Sequence, residues 1–432
     1  MNASAPQATL RRFAGYLGVA VAATMPALVL RLAGWRPNPL LDAALFGTAI
    51  LAAGFMLSWG AEAAEKRVSQ GLIVAAIALV TVLPEYAVDF YYAYAAGQDP
   101  SSNYVHYAAA NMTGANRLLV GLAWPLMVII HWFRTRQGRI DLAPVNAAEI
   151  TFLLIGTAWS FTILLRDAIG WIDSVVLVGI FAAYVWRVSY LPKAEEDEED
   201  EPGPAAALGR LSPARQWAAM AGLTVVAATV ILASAEPFAE AMVDSGRLIG
   251  IDEFLLIQWL APLASEAPAV TIAVLFVLSG RAANGLATMI SDKINQWTLL
   301  VGMLPLAMSL GAGSLSALPL DDRQHEEFFL TAAQSLFGIA LLLRLRLGMW
   351  GARALAGLFT VQVGLTLNFL GDEARTIASL TWLSWGYLAL AGALLVFNAR
   401  SLGHLFKVGL FAKHPAVHPG ASISPVSGSP AT

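Results

Sequence analysis

About twelve runs of mostly apolar residues, each near the length needed to cross a bilayer, limit what this chain can fold into more than any other feature. They lie near 13–32, 39–62, 71–96, 105–132, 146–166, 169–191, 216–241, 252–280, 284–312, 327–345, 350–370 and 376–398, several of them interrupted by proline or glycine. Only 13% of the residues are charged, against about 25% in ordinary soluble domains, and 57% are hydrophobic. The expectation is an all-α polytopic membrane protein with about twelve transmembrane helices. The first run follows Arg11 and Arg12, as the apolar core of a signal peptide would. It is too long for that role and no clean small-x-small cleavage site follows it, so it reads as a retained helix.

Basic residues set the expected orientation. With the N-terminus in the cytoplasm, 18 of the 26 Lys and Arg residues fall on the cytoplasmic side, six on the other, and Arg117 and Lys293 within spans. An even number of crossings puts both termini in the cytoplasm of a multi-pass protein of the cell inner (plasma) membrane. The layout is then a cytoplasmic N-terminus (1–12), a first membrane half (13–191), an acidic cytoplasmic linker (192–213), a second membrane half (214–398) and a cytoplasmic, partly disordered tail (399–432). The block Glu195-Glu196-Asp197-Glu198-Glu199-Asp200-Glu201 cannot bury itself and reads as a solvated spacer. Binding of a regulatory cation there is the sharper alternative. No basic patch interleaved with aromatics points to nucleic acid. With 0 cysteines, disulfides, thiolate metal sites and a cysteine nucleophile are excluded.

Against this apolar background one acid stands out. Glu85 follows Pro84 inside the third run, in Thr81-Val82-Leu83-Pro84-Glu85. A carboxylate at membrane depth is costly and marks a functional site. Pro84 removes a backbone donor beside it and leaves carbonyls free. The pattern recurs at Glu266, 181 residues on. The same offset carries Leu118-Leu119-Val120-Gly121 onto Leu299-Leu300-Val301-Gly302, Asn111 onto Asp292 and Ala115 onto Gln296. Glu62 and Glu65 precede the first acid, and Glu236 and Glu240 the second. Near helix ends, these four are as readily structural as functional. The third and eighth runs cross in opposite directions, so the two α-repeats, about 50–125 and 225–306, are inverted with respect to each other.

Glu85, Asn111, Glu266 and Asp292 are expected to meet at mid-membrane. An oxygen-only set suits hard cations such as Ca²⁺, Na⁺ and Mg²⁺ better than Zn²⁺. Protons are alternative occupants of the same carboxylates. Competition between them, coupled to rocking of one repeat on the other, amounts to antiport. Asp89, one turn beyond Glu85, either lines the entrance or pairs with a cation. Arg117 and Lys293 are modulators, or replacements for a bound cation. His106 reads as interfacial.

The residues that carry a family likeness are Thr81-Val82-Leu83-Pro84-Glu85, Asn111-Met112-Thr113-Gly114-Ala115-Asn116, Ala261-Pro262-Leu263-Ala264-Ser265-Glu266 and Ser291-Asp292-Lys293-Ile294-Asn295-Gln296. They resemble the sodium/calcium exchanger superfamily of cation/calcium antiporters. In that family each of two inverted α-repeats holds a Gly/Ala-Thr-Ser-x-Pro-Glu motif and a Gly-Asn-x-x-Gly-Ser-Asn-type motif. The resemblance implies that Glu85 and Glu266 are paired cation ligands and that Asp292 and Gln296 are polar ligand positions, with Thr81 the retained motif hydroxyl. The motif register aligns Ala115 and Leu119 with Asp292 and Gln296, one helical turn from the ungapped offset. The ungapped register is preferred here for its continuity. Val82, Pro262 and Leu263 stand where the family has hydroxyls that help hold sodium. The family core has ten helices, so the first and last spans are additions.

The leading expectation is a secondary active cation antiporter of the sodium/calcium exchanger type. Glu85, Glu266, Asp292, Asn111, Gln296 and Thr81 would surround transported Ca²⁺, Na⁺ or H⁺, with Asp89, Asn116, Arg117 and Lys293 as possible modulators and no cofactor. Its partners are inorganic cations and the lipid bilayer. A proton-coupled Na⁺ or Ca²⁺ antiporter is the alternative. A second alternative is a non-transporting scaffold or sensor in which Arg117 and Lys293 fill the site with salt bridges. An enzyme is disfavoured, since no nucleophile motif such as Gly-x-Ser-x-Gly occurs and the inverted repeat would go unexplained.

Overall fold

The computed structural model describes residues 4–65, 82–191, 207–209 and 211–411. Thr81, the 71–81 part of the third run, the acidic block of the linker and residues 412–432 lie outside the described residues. Helices occupy every apolar run, the third from Leu83 onward. In the first half they are α1 (Ser4–Ala33), α2 (Pro39–Glu65), α3 (Leu83–Gln98), α4 (Tyr104–Leu118), α5 (Trp124–Thr135), α6 (Ala147–Ile163) and α7 (Trp171–Ser189). The second half holds α8 (Pro213–Ile249), α9 (Glu253–Leu278), α10 (Ala282–Asn295), α11 (Val301–Ala312), α12 (Asp322–Leu342), α13 (Met349–Asn368), α14 (Glu373–Phe397) and α15 (Ala399–Phe411). Among the described residues, seven helices are long and apolar enough by themselves to cross a membrane. Leu32, Trp350, Trp382 and Phe397 are strongly exposed, as suits a surface that faces lipid.

The inversion is visible in the packing. Gly47 of α2 meets Phe238 of α8, while Gly60 meets Thr224 and Met220, so the two helices run antiparallel. Two short ladders repeat the relation at opposite ends of the bundle. The strand β1 (Arg139–Asp141) precedes α6, and β2 (Ala168–Ile169) follows it; β3 (Leu318–Pro319) precedes α12, and β4 (Arg346–Gly348) follows it. β1 pairs antiparallel with β4, and β2 with β3. Each ladder buries an apolar cross-strand pair, Ile140 with Leu347 and Ile169 with Leu318. His106 lies at the β2–β3 end, against Gln324 and Asp321 of the α12 N-terminus.

Glycines bring helices of opposite halves into backbone contact, as small residues do in membranes. A Cβ at Gly97 of α3 would lie 2.0 Å from the Met308 carbonyl oxygen of α11, and one at Gly311 would lie 2.0 Å from that of Tyr94. Only glycine fits at this crossing, which fixes α3 against the other half.

In each half, a π turn joins the two segments of one long helix: Leu119–Ala123 between α4 and α5, Gln296–Leu300 between α10 and α11. Pro125 and Pro305 follow these turns, where a missing backbone donor loosens the helical ladder. The turns are 177 residues apart, so on these helices the structure follows the motif register and not the ungapped offset of 181. The repeated Leu-Leu-Val-Gly is a run of packing residues and carries no positional chemistry. The tail also begins as structure. α15 buries Leu405 and Gly409 and packs on α6, and Arg187 Nε donates to the Gly409 carbonyl at 2.8 Å.

Candidate cation site

Glu85 sits in the first turn of α3, directly after Pro84, where the missing proline N–H costs the helix nothing. A carboxylate is also favoured at that end by the helix dipole. Glu266 is placed differently, in mid-helix between Pro262 and Pro268 of α9. Those prolines leave the carbonyls of Gln258 and Ala264 without their helical donors. The freed Gln258 carbonyl is the atom against which Gly114 of α4 packs, 1.9 Å from where a Cβ would stand.

The structure brings Glu85 and Glu266 face to face, 2% and 8% exposed. Apart from Glu266, no described group is hydrogen-bonded to either Glu85 oxygen. Glu266 Oε1 accepts one from Gln296 Nε2. Asp89 and Asp292 lie within electrostatic reach of the pair, each with one carboxylate oxygen lacking a donor. Asn111 is buried too, but it bonds Asp89 (Nδ2 to Oδ1, 2.8 Å) instead of joining the pair. Beside Glu85, the Tyr86 hydroxyl crosses between halves to Asn295 Oδ1 at 2.7 Å. Among the described residues, no three acid or histidine side chains converge to enclose a metal ion. The arrangement is a facing pair with two outlying acids.

Neither buried base fills it. Arg117 pairs with Glu327 of α12, bonds the Thr113 carbonyl at 3.2 Å and lies over the Trp259 ring. Lys293 Nζ bonds Asn116 Oδ1 at 2.7 Å and stands 4.5 Å from the Trp297 ring centroid. Among the described residues, no Lys, Arg or His nitrogen comes within salt-bridge distance of Glu85, Asp89, Glu266 or Asp292. That counts against a scaffold whose old site is closed by internal ion pairs. Glu327 was missed in the sequence. The available signal was a carboxylate at the head of the 327–345 run in a chain whose Arg117 needed a partner at depth.

Four buried carboxylates without a positive partner demand one. A divalent cation between Glu85 and Glu266, or protons on them, would supply it.

A family model described as sodium/calcium exchanger protein matches residues 40–190 and 219–368. Among solved structures, the crystal structure of the H⁺/Ca²⁺ exchanger CAX is 38% identical, with a TM-score of 0.85, covering 92% of this chain and 98% of its own. The structure of native YfkE is 12% identical with a TM-score of 0.59, covering 87% of this chain and 100% of its own. One of the sodium-calcium exchanger NCX_Mj, soaked with Na⁺ and Sr²⁺, is 17% identical with a TM-score of 0.51, covering 76% and 98%. These last two show the fold alone. A search of curated proteins finds no match. A family match over most of the chain settles what kind of protein this is: it belongs to the sodium/calcium exchanger family of membrane cation transporters.

Proposed function

We propose that this protein exchanges Ca²⁺ for H⁺ at the Glu85–Glu266 pair. The observation that carries the reading is the pair itself, two facing carboxylates with no basic group in contact. In the membrane they need a positive occupant, and one divalent cation or two protons meet the same need. Gln296, held on Glu266, and the carbonyls released by Pro262 and Pro268 offer further oxygens. The 38% identity to an H⁺/Ca²⁺ exchanger supports protons as the counter-ion. So does the absence of hydroxyls at Val82, Pro262 and Leu263. Access alternates as one repeat rocks on the other, with the arginine-rich β1–β4 end towards the cytoplasm of a cell inner membrane.

The test is uptake of Ca²⁺ into vesicles reconstituted with the full chain, under imposed H⁺, Na⁺, K⁺ or Mg²⁺ gradients. A pH gradient alone is expected to drive it. Uptake driven by a Na⁺ gradient, and unmoved by a pH gradient, would replace the proton reading with sodium exchange.

A further inference from the structure

The turn that leads out of α12 repeats the one that leads out of α6, but without its acid. Leu345 and Asp167 hold the same place, each a non-glycine residue at positive φ (53° and 49°) directly before its strand. Their spacing, 178 residues (345 less 167), carries Arg166 onto Arg344, Trp159 onto Phe337 and Asp173 onto Gly351. In the first half Asp173 is fully buried and accepts from Arg166 Nη2 at 2.5 Å, Trp159 Nε1 at 3.0 Å and the Gly170 backbone N–H at 2.8 Å. In the second half the acid and the indole donor are both gone, and the arginine remains. Among the described residues no ion pair reaches the side chain of Arg344 or Arg346. Arg346 stands across the ladder from Asp141, but Arg139 holds that carboxylate at 2.9 Å.

A cavity of about 740 Å³ lies against these arginines, lined by Arg139, Arg344 and Arg346 together with Trp350, Leu394 and Phe397. No acid lines it. Trp350 and Phe397 are strongly exposed, and Phe397 ends α14, a helix long and apolar enough to cross a membrane. Positive charge here borders an aromatic surface at a helix end, which is where a lipid headgroup meets its chains.

We propose that this cavity binds an anionic phospholipid. Arg344 and Arg346 hold the phosphate where the first half has Asp173, and Trp350, Leu394 and Phe397 receive the glycerol and the first part of the chains. A guanidinium fork matches two phosphate oxygens. A water-soluble anion would use the arginines and leave the aromatic edge bare. The site is separate from the Glu85–Glu266 pair and does not depend on how that pair is read.

The experiment is native mass spectrometry of the full chain in detergent, titrated with phosphatidylglycerol and, separately, with phosphatidylcholine. The wild type is expected to bind phosphatidylglycerol at least about tenfold more tightly. Arg344→Gln and Arg346→Gln should each weaken that binding about fivefold, and the double variant about twentyfold, with phosphatidylcholine unmoved. Arg136→Gln removes a charge three residues before β1 but outside the cavity, and should change neither. Equal binding of the two lipids, or a loss in Arg136→Gln as large as in Arg344→Gln, overturns the proposal in favour of solvated surface charge. Displacement of phosphatidylglycerol by inorganic phosphate at equal concentration overturns it in favour of a soluble anion. If the double variant does not fold, the two single variants decide.

Discussion

The two halves build matching backbones and furnish them with unlike chemistry. In the first, Glu85 heads α3, no amide or hydroxyl donor reaches it, and α4 with its π turn offers Ala115 and Leu119 where the second half has Asp292 and Gln296. In the second, Glu266 lies in mid-helix and Gln296 holds it. The buried bases differ as well. Arg117 of the first half is paired with Glu327, whereas Lys293 of the second touches only neutral groups. Charge at the site thus comes from both halves, whereas amide support for the facing pair itself comes from the second. Under the proposed exchange, an anchored Glu266 is the fixed wall of the site, and Glu85 is the group that closes on the ion.

The largest effects come from removing either wall. Glu85→Gln and Glu266→Gln are each expected to slow Ca²⁺ exchange in vesicles by at least about a thousandfold, the scale of losing one partner of a buried charged contact. Retained exchange in both would end the comparison. Next comes the asymmetry in bases. Glu327→Gln leaves Arg117 buried without a counter-charge and is expected to destabilise the fold by about 3 kcal/mol, read as a lowered melting temperature in detergent. Lys293→Met should cost less stability, because no ion pair is broken. The smallest effect concerns support alone. Gln296→Leu gives the second half the residue found at the first-half counterpart and is expected to weaken Ca²⁺ binding about tenfold by titration.

Much of the fold was legible because the bilayer leaves a chain few choices: runs of membrane length have to become helices, and twelve of them gave the observed order. Glu85 and Glu266 were legible for a related reason, since an acid at that depth in a proline-broken run has few structural uses. The helices α4 and α10 were harder. Leu-Leu-Val-Gly suggested a register four residues from the one the π turns follow, because apolar packing residues recur without marking equivalent places. Asn111, expected at the pair, bonds Asp89 one turn away from it. Glu327 lies 210 residues from Arg117, and no local pattern links positions so far apart.

The paired ladders carry a consequence for how the molecule is put together. Each joins a strand of one half to a strand of the other, β1 with β4 at one end and β2 with β3 at the opposite end. Between them, α2 packs on α8, α3 on α11 and α4 on α9, each pair across the halves. Neither half can complete its own interior. The protein is, in effect, a two-subunit assembly written as one polypeptide, its subunits clasped at both ends by their own backbones. The covalent connection between them fixes their ratio at one to one, and the clasps fix their register.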